Sequence, residues 1–393
     1  MRKLRSDFIH TGDRGFISNH VIVIDDDGRI LDLLPDSELN ISECEYYPGI
    51  LTPGFINAHC HLELSHLKGR FQTGTKLIPF LRNVVSQRET EPDLIMQSIA
   101  DADQEMRMEG IVAVGDISNK TDTIETKNKS DIHYHTFIEA FDFLQDHLAV
   151  QFFDGYKKVY DSFEGLPRTM VPHAPYSVSR TLFELIKNMN EGNENVSSIH
   201  NQETIDEDLL FINKTGAFVA FWESFGFKLD AFEPTGKESV YYAINQMHHT
   251  HNTLFIHNTQ MKESQIRDVL SWNPNSFFVT CANANIFIEN ALPDYMQFKY
   301  ADAMICIGTD SLSSNWHLSM IEEMKTILKY NSWLTFEEVL KWATYNGAKA
   351  LRLDNQLGSI SKNKKPGINW IQGVKKINDQ WMLSKDAKVK RVL

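Results

Sequence analysis

Two histidines one residue apart, in His59-Cys60-His61, project to the same face of an extended segment and can present two imidazoles to one metal ion. The spacing alone is weak evidence, because the chain holds 15 histidines and two further triplets, His133-Tyr134-His135 and His249-Thr250-His251. Position separates the three. His59 and His61 follow an apolar run, Phe55–Ala58, that reads as a strand; His133 and His135 open a strand candidate, and His249 and His251 belong to the connection before one. Four more polar residues end strand candidates in the same way: His173, His200, His257 and Asp310. A hydrolytic metal site takes three or four protein ligands and leaves a position for water, and imidazole with carboxylate suits zinc or ferrous iron. His59, His61, His200 and Asp310 supply such a set. A proton carrier is also needed, and Glu203 lies three residues after His200, in the expected first turn of the next helix.

Gathering these groups requires a scaffold whose strands end together. From residue 51 onward, short β-like segments alternate with amphipathic helical stretches, the signature of βα units and a parallel sheet. The strand candidates are Phe55–Ala58, Ile111–Asp116, Tyr134–Ala140, Thr169–His173, Ser197–His200, Leu254–His257, Phe277–Cys281 and Met304–Gly308. Eight units predict a closed barrel, in which catalytic groups gather at the C-terminal ends of the strands. Helices are expected over Lys76–Arg88, Asp93–Glu109, Thr181–Met189, Glu203–Lys214, Met320–Tyr330 and Phe336–Leu351.

The two chain ends read differently. Val21–Ile24 and Ile30–Leu34 flank Asp27-Gly28, which predicts a hairpin, and a second β-like region runs from Leu357 to the C-terminus. The expected fold is α/β: a (β/α)8 TIM barrel over 51–354, with a small β-sandwich satellite domain built from 1–50 and 355–393. The alternative is an independent edge hairpin at each end.

Composition narrows the function classes. The 393 residues carry 42% apolar and 23% charged side chains, near globular averages, and disordered or fibrous classes do not fit. With 39 Lys+Arg against 52 Asp+Glu the net charge is −13, which disfavours binding to a phosphate backbone. No apolar run approaches the length that spans a bilayer, and no signal-peptide stretch follows the basic Met1–Ser6. The four cysteines, Cys44, Cys60, Cys281 and Cys306, are scattered, which fits a reducing, cytoplasmic setting. The expected partner is a small-molecule substrate, not nucleic acid or membrane, and a homodimer is left open.

At these residues the chain resembles the amidohydrolase superfamily, specifically its adenosine-type and aminofutalosine-type deaminase branches, across essentially its full length. The motifs in order are Thr52-Pro-Gly-Phe-Ile-Asn-Ala-His-Cys-His61, His173-Ala-Pro-Tyr-Ser-Val-Ser179, His200-Asn-Gln-Glu203, Ile256-His257, Gly308-Thr-Asp-Ser311 and Asn346-Gly-Ala-Lys-Ala350. The resemblance implies one divalent metal, zinc before iron, on His59, His61, His200 and Asp310. It further implies that His257 orients the nucleophilic water, that Asp310 accepts a proton from it, that Glu203 shuttles protons, and that His173 faces the substrate. Two-metal relatives place a lysine at the end of the fourth strand; here that strand ends Val171-Pro172-His173, so one metal is expected.

The implied reaction is metal-dependent deamination of a ring amino group on a purine-nucleoside-like substrate, of the 6-aminofutalosine or adenosine-thioether type. A hydrolase of cyclic amides or imines is the alternative, and a non-catalytic scaffold a remote one. The narrower likeness rests on His61-Leu-Glu-Leu-Ser65 and Phe80-Leu-Arg-Asn-Val-Val85, where Glu63 reads equally as a ribose contact or a structural carboxylate. Related deaminases carry Cys-Pro-x-Ser-Asn after the seventh strand, whereas this chain has Cys281-Ala-Asn-Ala-Asn285, and the satellite's usual ending is altered to Lys365-Pro-Gly-Ile-Asn369. Asn283, Asn285 and Phe221-Trp222 either shape the pocket or pack elsewhere.

Overall fold

The apolar runs at the N-terminus become five strands, β1 (Arg2–His10), β2 (Phe16–Ile17), β3 (His20–Ile24), β4 (Ile30–Pro35) and β5 (Glu45–Pro53), in a computed structural model that describes residues 1–192, 195–378 and 380–393. The eight central strands follow: β6 (Phe55–Cys60), β7 (Ile111–Ser118), β8 (His133–Ala140), β9 (Arg168–Pro172), β10 (Val196–Asn201), β11 (Asn252–His257), β12 (Ser276–Thr280) and β13 (Met304–Ile307). Two more, β14 (Ile368–Ile377) and β15 (Gln380–Arg391), end the chain.

The central strands pair in parallel as two four-stranded sheets, β6 to β9 and β10 to β13. Their edges meet at two seams. At one, His200 N–H donates to the His173 carbonyl at 2.9 Å; at the other, the amides of Thr309 and Asp310 donate to the His59 carbonyl at 3.0 and 3.1 Å. A buried apolar cluster draws on every one of the eight strands, through Ile56, Ala113, Phe137, Val171, Val196, Ile256, Val279 and Cys306. Such a cluster is what the centre of a closed (β/α)8 barrel requires, and each fully buried Val, Ile or Phe contributes roughly 1.5–3 kcal/mol. A larger buried cluster joins the strands to the surrounding helices.

The sandwich expected of the chain ends takes the form of one hydrogen-bonded sheet, in the order β15-β14-β5-β1-β3-β4, with β2 on β1. Antiparallel pairing of Ile368 with Pro53 and of Ile371 with Ile50 joins the two ends. The β3–β4 hairpin turns at Gly28, whose φ of 79° suits glycine, and Asp25 Oδ1 accepts from the amides of Asp27 and Arg29.

Most element ends shift by one or two residues from expectation, and three differences bear on the sheet and the site. The second β-like region begins at Ile368, not at Leu357, because Gly358 and Gly367 take positive φ and keep the intervening chain out of the sheet. The last long helix runs as Phe336–Lys341, a π turn over Trp342–Asn346, and Gly347–Ala350. The helix after β10 starts at Ile205, so Glu203 sits in the turn before it rather than in its first turn. No helix among the described residues is long and apolar enough to cross a membrane.

Candidate active site

The ends of β6, β10 and β13 bring His59, His61, His200 and Asp310 together. His61 Nε2 lies 3.3 Å from His200 Nε2, and Asp310 Oδ1 lies 3.6 Å from His59 Nε2 and 3.5 Å from His61 Nε2. Tetrahedral ligands on bonds of about 2.1 Å stand about 3.4 Å apart, so each of these three contacts has the spacing of two ligands on one ion. His59 adds a second sign. It is fully buried, and neither ring nitrogen has a hydrogen-bond partner, an arrangement that costs about 1–3 kcal/mol unless another group meets it. The residues therefore fit a divalent metal. Burial also keeps His61 neutral down to a pKa of about 3, leaving a lone pair for a cation.

Backbone contacts fix these side chains. Gly308 lies so close to β6 that a Cβ would stand 2.8 Å from His59 Cβ and 3.0 Å from Cys281 Sγ, so its lack of a side chain lets the end of β13 approach the His59 strand. Asp116, at the end of β7, accepts the Leu62 amide next to His61 at 2.8 Å, and its other oxygen pairs with Lys127 Nζ at 2.6 Å, with both side chains fully buried. His200 Nδ1 donates to the His173 carbonyl at 2.9 Å and lies 3.3 Å from Glu139 Oε1, which turns Nε2 toward the centre.

Glu139 is a site residue that sequence reasoning missed. It is buried one residue before the end of β8, within reach of both His173 and His200. Burial alone would push its carboxyl up; the two histidines reverse this and hold it below the usual carboxylate range. Burial opposes charge on His200, but the Glu139 hydrogen bond outweighs it and raises the imidazole to about 9, so a metal bound at Nε2 would displace a proton from it. The signal was available: a carboxylate closing an apolar strand at the same end as the histidines.

Glu203 and His257 stand beside the four residues. Glu203 Oε2 lies 3.6 Å from His257 Nε2, and Glu203 Oε1 is buried without a partner. Burial, opposed by His200 and aided by Asp310, pushes the Glu203 carboxyl well above its ordinary range. His173 Nδ1 is 2.6 Å from Ser177 Oγ, and its ring lies 4.9 Å from that of His200. The remaining histidine triplets lie elsewhere: His133 is exposed at the start of β8, His135 contacts Thr169 there, and His249 precedes β11.

His61, Glu139, His173, His200, Glu203, His257 and Asp310 line a cavity of about 400 Å3, within the range of small-molecule sites, and His59 lies behind it. Its walls are apolar, with Phe80, Phe141, Phe143, Phe221, Trp222 and Phe227, so Phe221-Trp222 shape the pocket. Glu63 is not among the residues that line the cavity. It is buried, its oxygens taken by Arg88 Nη2 and by the amides of Asn119 and Lys120 at 3.0 and 3.1 Å, and the contacts are those of a structural carboxylate.

The class defined by this fold and site is the (β/α)8-barrel hydrolase with polar residues at the strand ends. The amidohydrolase family model matches residues 50–393, and the chain belongs to that family; with its deaminase relatives this makes it a hydrolase acting on carbon–nitrogen bonds. An adenosine deaminase of Helicobacter pylori is 28% identical over 328 residues, covering 81% of this chain and 78% of that protein. An aminodeoxyfutalosine deaminase of Nitratiruptor is 26% identical over 350 residues, covering 85% and 82%. In fold, the crystal structure of Helicobacter pylori aminofutalosine deaminase in complex with methylthio-coformycin matches with a TM-score of 0.79 at 22% identity, over 94% of this chain and 91% of that one.

Proposed function

We propose that this chain deaminates a purine-nucleoside-like amine, replacing a ring amino group with oxygen from water and releasing ammonia. The substrate is of the 6-aminofutalosine or adenosine-thioether type, in keeping with the deaminase names of its relatives. His59, His61, His200 and Asp310 would hold one divalent ion, and zinc is the proposed metal. When bound, such an ion lowers the pKa of water and so supplies a nucleophile near neutral pH.

The other tasks fall to side chains. Asp310, whose Oδ2 accepts from Ser314 Oγ at 2.6 Å, takes a proton from the attacking water. Glu203, whose burial favours its protonated form, gives a proton to the ring nitrogen beside the reacting carbon. The carbon–oxygen bond forms, the carbon–nitrogen bond breaks, and the amine leaves as ammonia with the proton that Asp310 took from the water, while the proton of the new hydroxyl returns to Glu203 as the carbonyl forms. His257 directs the water, and His173 meets the substrate from the β9 side of the cavity.

One observation carries this reading: His61 Nε2 stands 3.3 Å from His200 Nε2, and Asp310 Oδ1 stands 3.6 and 3.5 Å from His59 and His61 Nε2, with an unpartnered buried carboxyl next to them. Ammonia release by the zinc-loaded protein on adenosine, methylthioadenosine, adenosylhomocysteine, aminofutalosine, guanine and cytosine tests it. Turnover confined to the nucleosides is expected; turnover of none of the nucleosides would reject the substrate class.

A further inference from the structure

His257 meets different groups at its two ring nitrogens. Nε2 looks into the site, 3.6 Å from Glu203 Oε2, and the Asp310 carboxylate also acts on the ring. Nδ1 looks away and meets the side-chain amide of Asn285, with Nδ2 at 3.1 Å. His257 is 2% exposed and Asn285 fully buried, so water does not compete for either contact. A neutral imidazole carries one N–H, and the hydrogen bond made by one nitrogen decides what the other can offer.

Electrostatics selects between the two tautomers. The Asp310 carboxylate favours a hydrogen on Nε2, the nitrogen that looks into the site, because a lone pair there would face a like charge. Nδ1 is then an acceptor and needs a donor, which the Asn285 amide supplies. Turning the amide over would leave its NH2 group buried without a partner, whereas the observed orientation leaves only Oδ1 unpaired, the milder of the two defects. The amide is also anchored. Asn285 lies in the helix Ala282–Glu289, where buried Glu323 accepts the Asn283 amide at 3.0 Å and Asn315 Nδ2 at 2.7 Å.

We propose that Asn285 is a positioning residue that fixes His257 as its Nε2–H tautomer, so that His257 presents a donor rather than a lone pair to the reacting centre. The assignment explains how an imidazole can stand in one cluster with His59 and His200, their nitrogens all within 4.8 Å, and still orient water instead of binding the metal. The effect on turnover rests on the deaminase reading; the tautomer does not.

Long-range proton–nitrogen correlation spectra of the full-length, zinc-loaded protein labelled with 15N-histidine read the tautomer directly, with His257 identified by its loss in His257→Gln. The wild-type protein should show hydrogen on Nε2 and none on Nδ1. Hydrogen on Nδ1 would overturn the proposal whether or not any variant folds. Asn285→Asp should transfer the hydrogen to Nδ1, and Asn285→Leu should give a mixture; wild-type spectra from both folded variants would also overturn it. On a verified substrate, Asn285→Leu should lower kcat about 10- to 100-fold with KM and zinc content little changed. An unchanged kcat would break the link to the reacting centre. The spectra decide the tautomer even if no amine turns over, so failure of the deaminase reading is seen separately.

Discussion

Glu203→Gln separates proton transfer from metal binding. The side chain makes no hydrogen bond that holds the fold: Oε1 is unpartnered and Oε2 lies 3.6 Å from His257 Nε2, while the main-chain contacts to Glu207 and Thr259 survive the exchange. An amide of the same size fits, and the thermal midpoint should move little. What is lost is the exchangeable proton. General acid–base groups contribute about 10²–10⁴ in rate, and a group serving both the water and the ring nitrogen belongs at the upper end. A loss of 10³–10⁴ in kcat corresponds to about 4–5.5 kcal/mol of barrier. Zinc content should be unchanged, since Glu203 is in none of the clusters spaced for a metal. Steady-state ammonia release on a verified substrate, paired with elemental analysis of the same preparation, measures both. Near-normal turnover would refute the proton role, and loss of zinc would make Glu203 a ligand.

His200→Ala and Asp310→Ala should each remove most of the bound metal by elemental analysis, and full retention in both would refute the ligand set. Lys127→Met strands the Asp116 carboxylate where both partners are fully buried, and should cost about 3–5 kcal/mol in chemical denaturation; a loss below about 1 kcal/mol would count against the pair. His10 is buried with Nε2 unpartnered, and burial, aided by Lys341, lowers its pKa from 6.5 to about 3. Folding therefore favours the neutral ring, and this contribution is complete above pH 6.5 and lost as pH falls toward 3. Between pH 7 and 5 the wild type should lose about 2 kcal/mol more stability than His10→Gln, and equal losses in the two would refute the assignment.

The strands are legible because each is a buried apolar run of four to eight residues closed by a turn, and their shared polar endings give away the barrel mouth. The expected start of the helix after β10, at Glu203, is misplaced, although Thr204-Ile205-Asp206-Glu207 has a capping-box spacing. In the structure Glu207 reaches back to accept the amides of Gln202 and Glu203 at 3.0 and 2.7 Å, which holds Glu203 outside the helix. Glu139 carried a local signal, a carboxylate inside a buried strand, which a search begun from histidines passed over. The Asn285–His257 contact carried none. It joins residues 28 apart through the geometry of a helix packed on a strand end, and spacing along the chain does not encode that approach.

Backbone conformation supplies what periodicity cannot. Gln202, His257, Asn258 and Asp310 have φ values of 42°, 72°, 59° and 56°, all in the left-handed region, at strand ends around the centre. Non-glycine residues there cost about 1–3 kcal/mol each and persist only where neighbours over-determine them. Glycine would relieve the strain, but it has no imidazole or carboxylate to offer at His257 or Asp310. The neighbours therefore hold the conformation. The Asp310 amide donates to the His59 carbonyl at 3.1 Å, the Gln202 amide to Glu207 at 3.0 Å, and Asn258 Nδ2 to the Phe255 carbonyl at 2.7 Å. Each left-handed residue breaks the alternation of the strand it ends and redirects its side chain. A sequence pattern reports the regular pleat, so the residues placed by departing from it are the ones whose orientation only the folded barrel reveals.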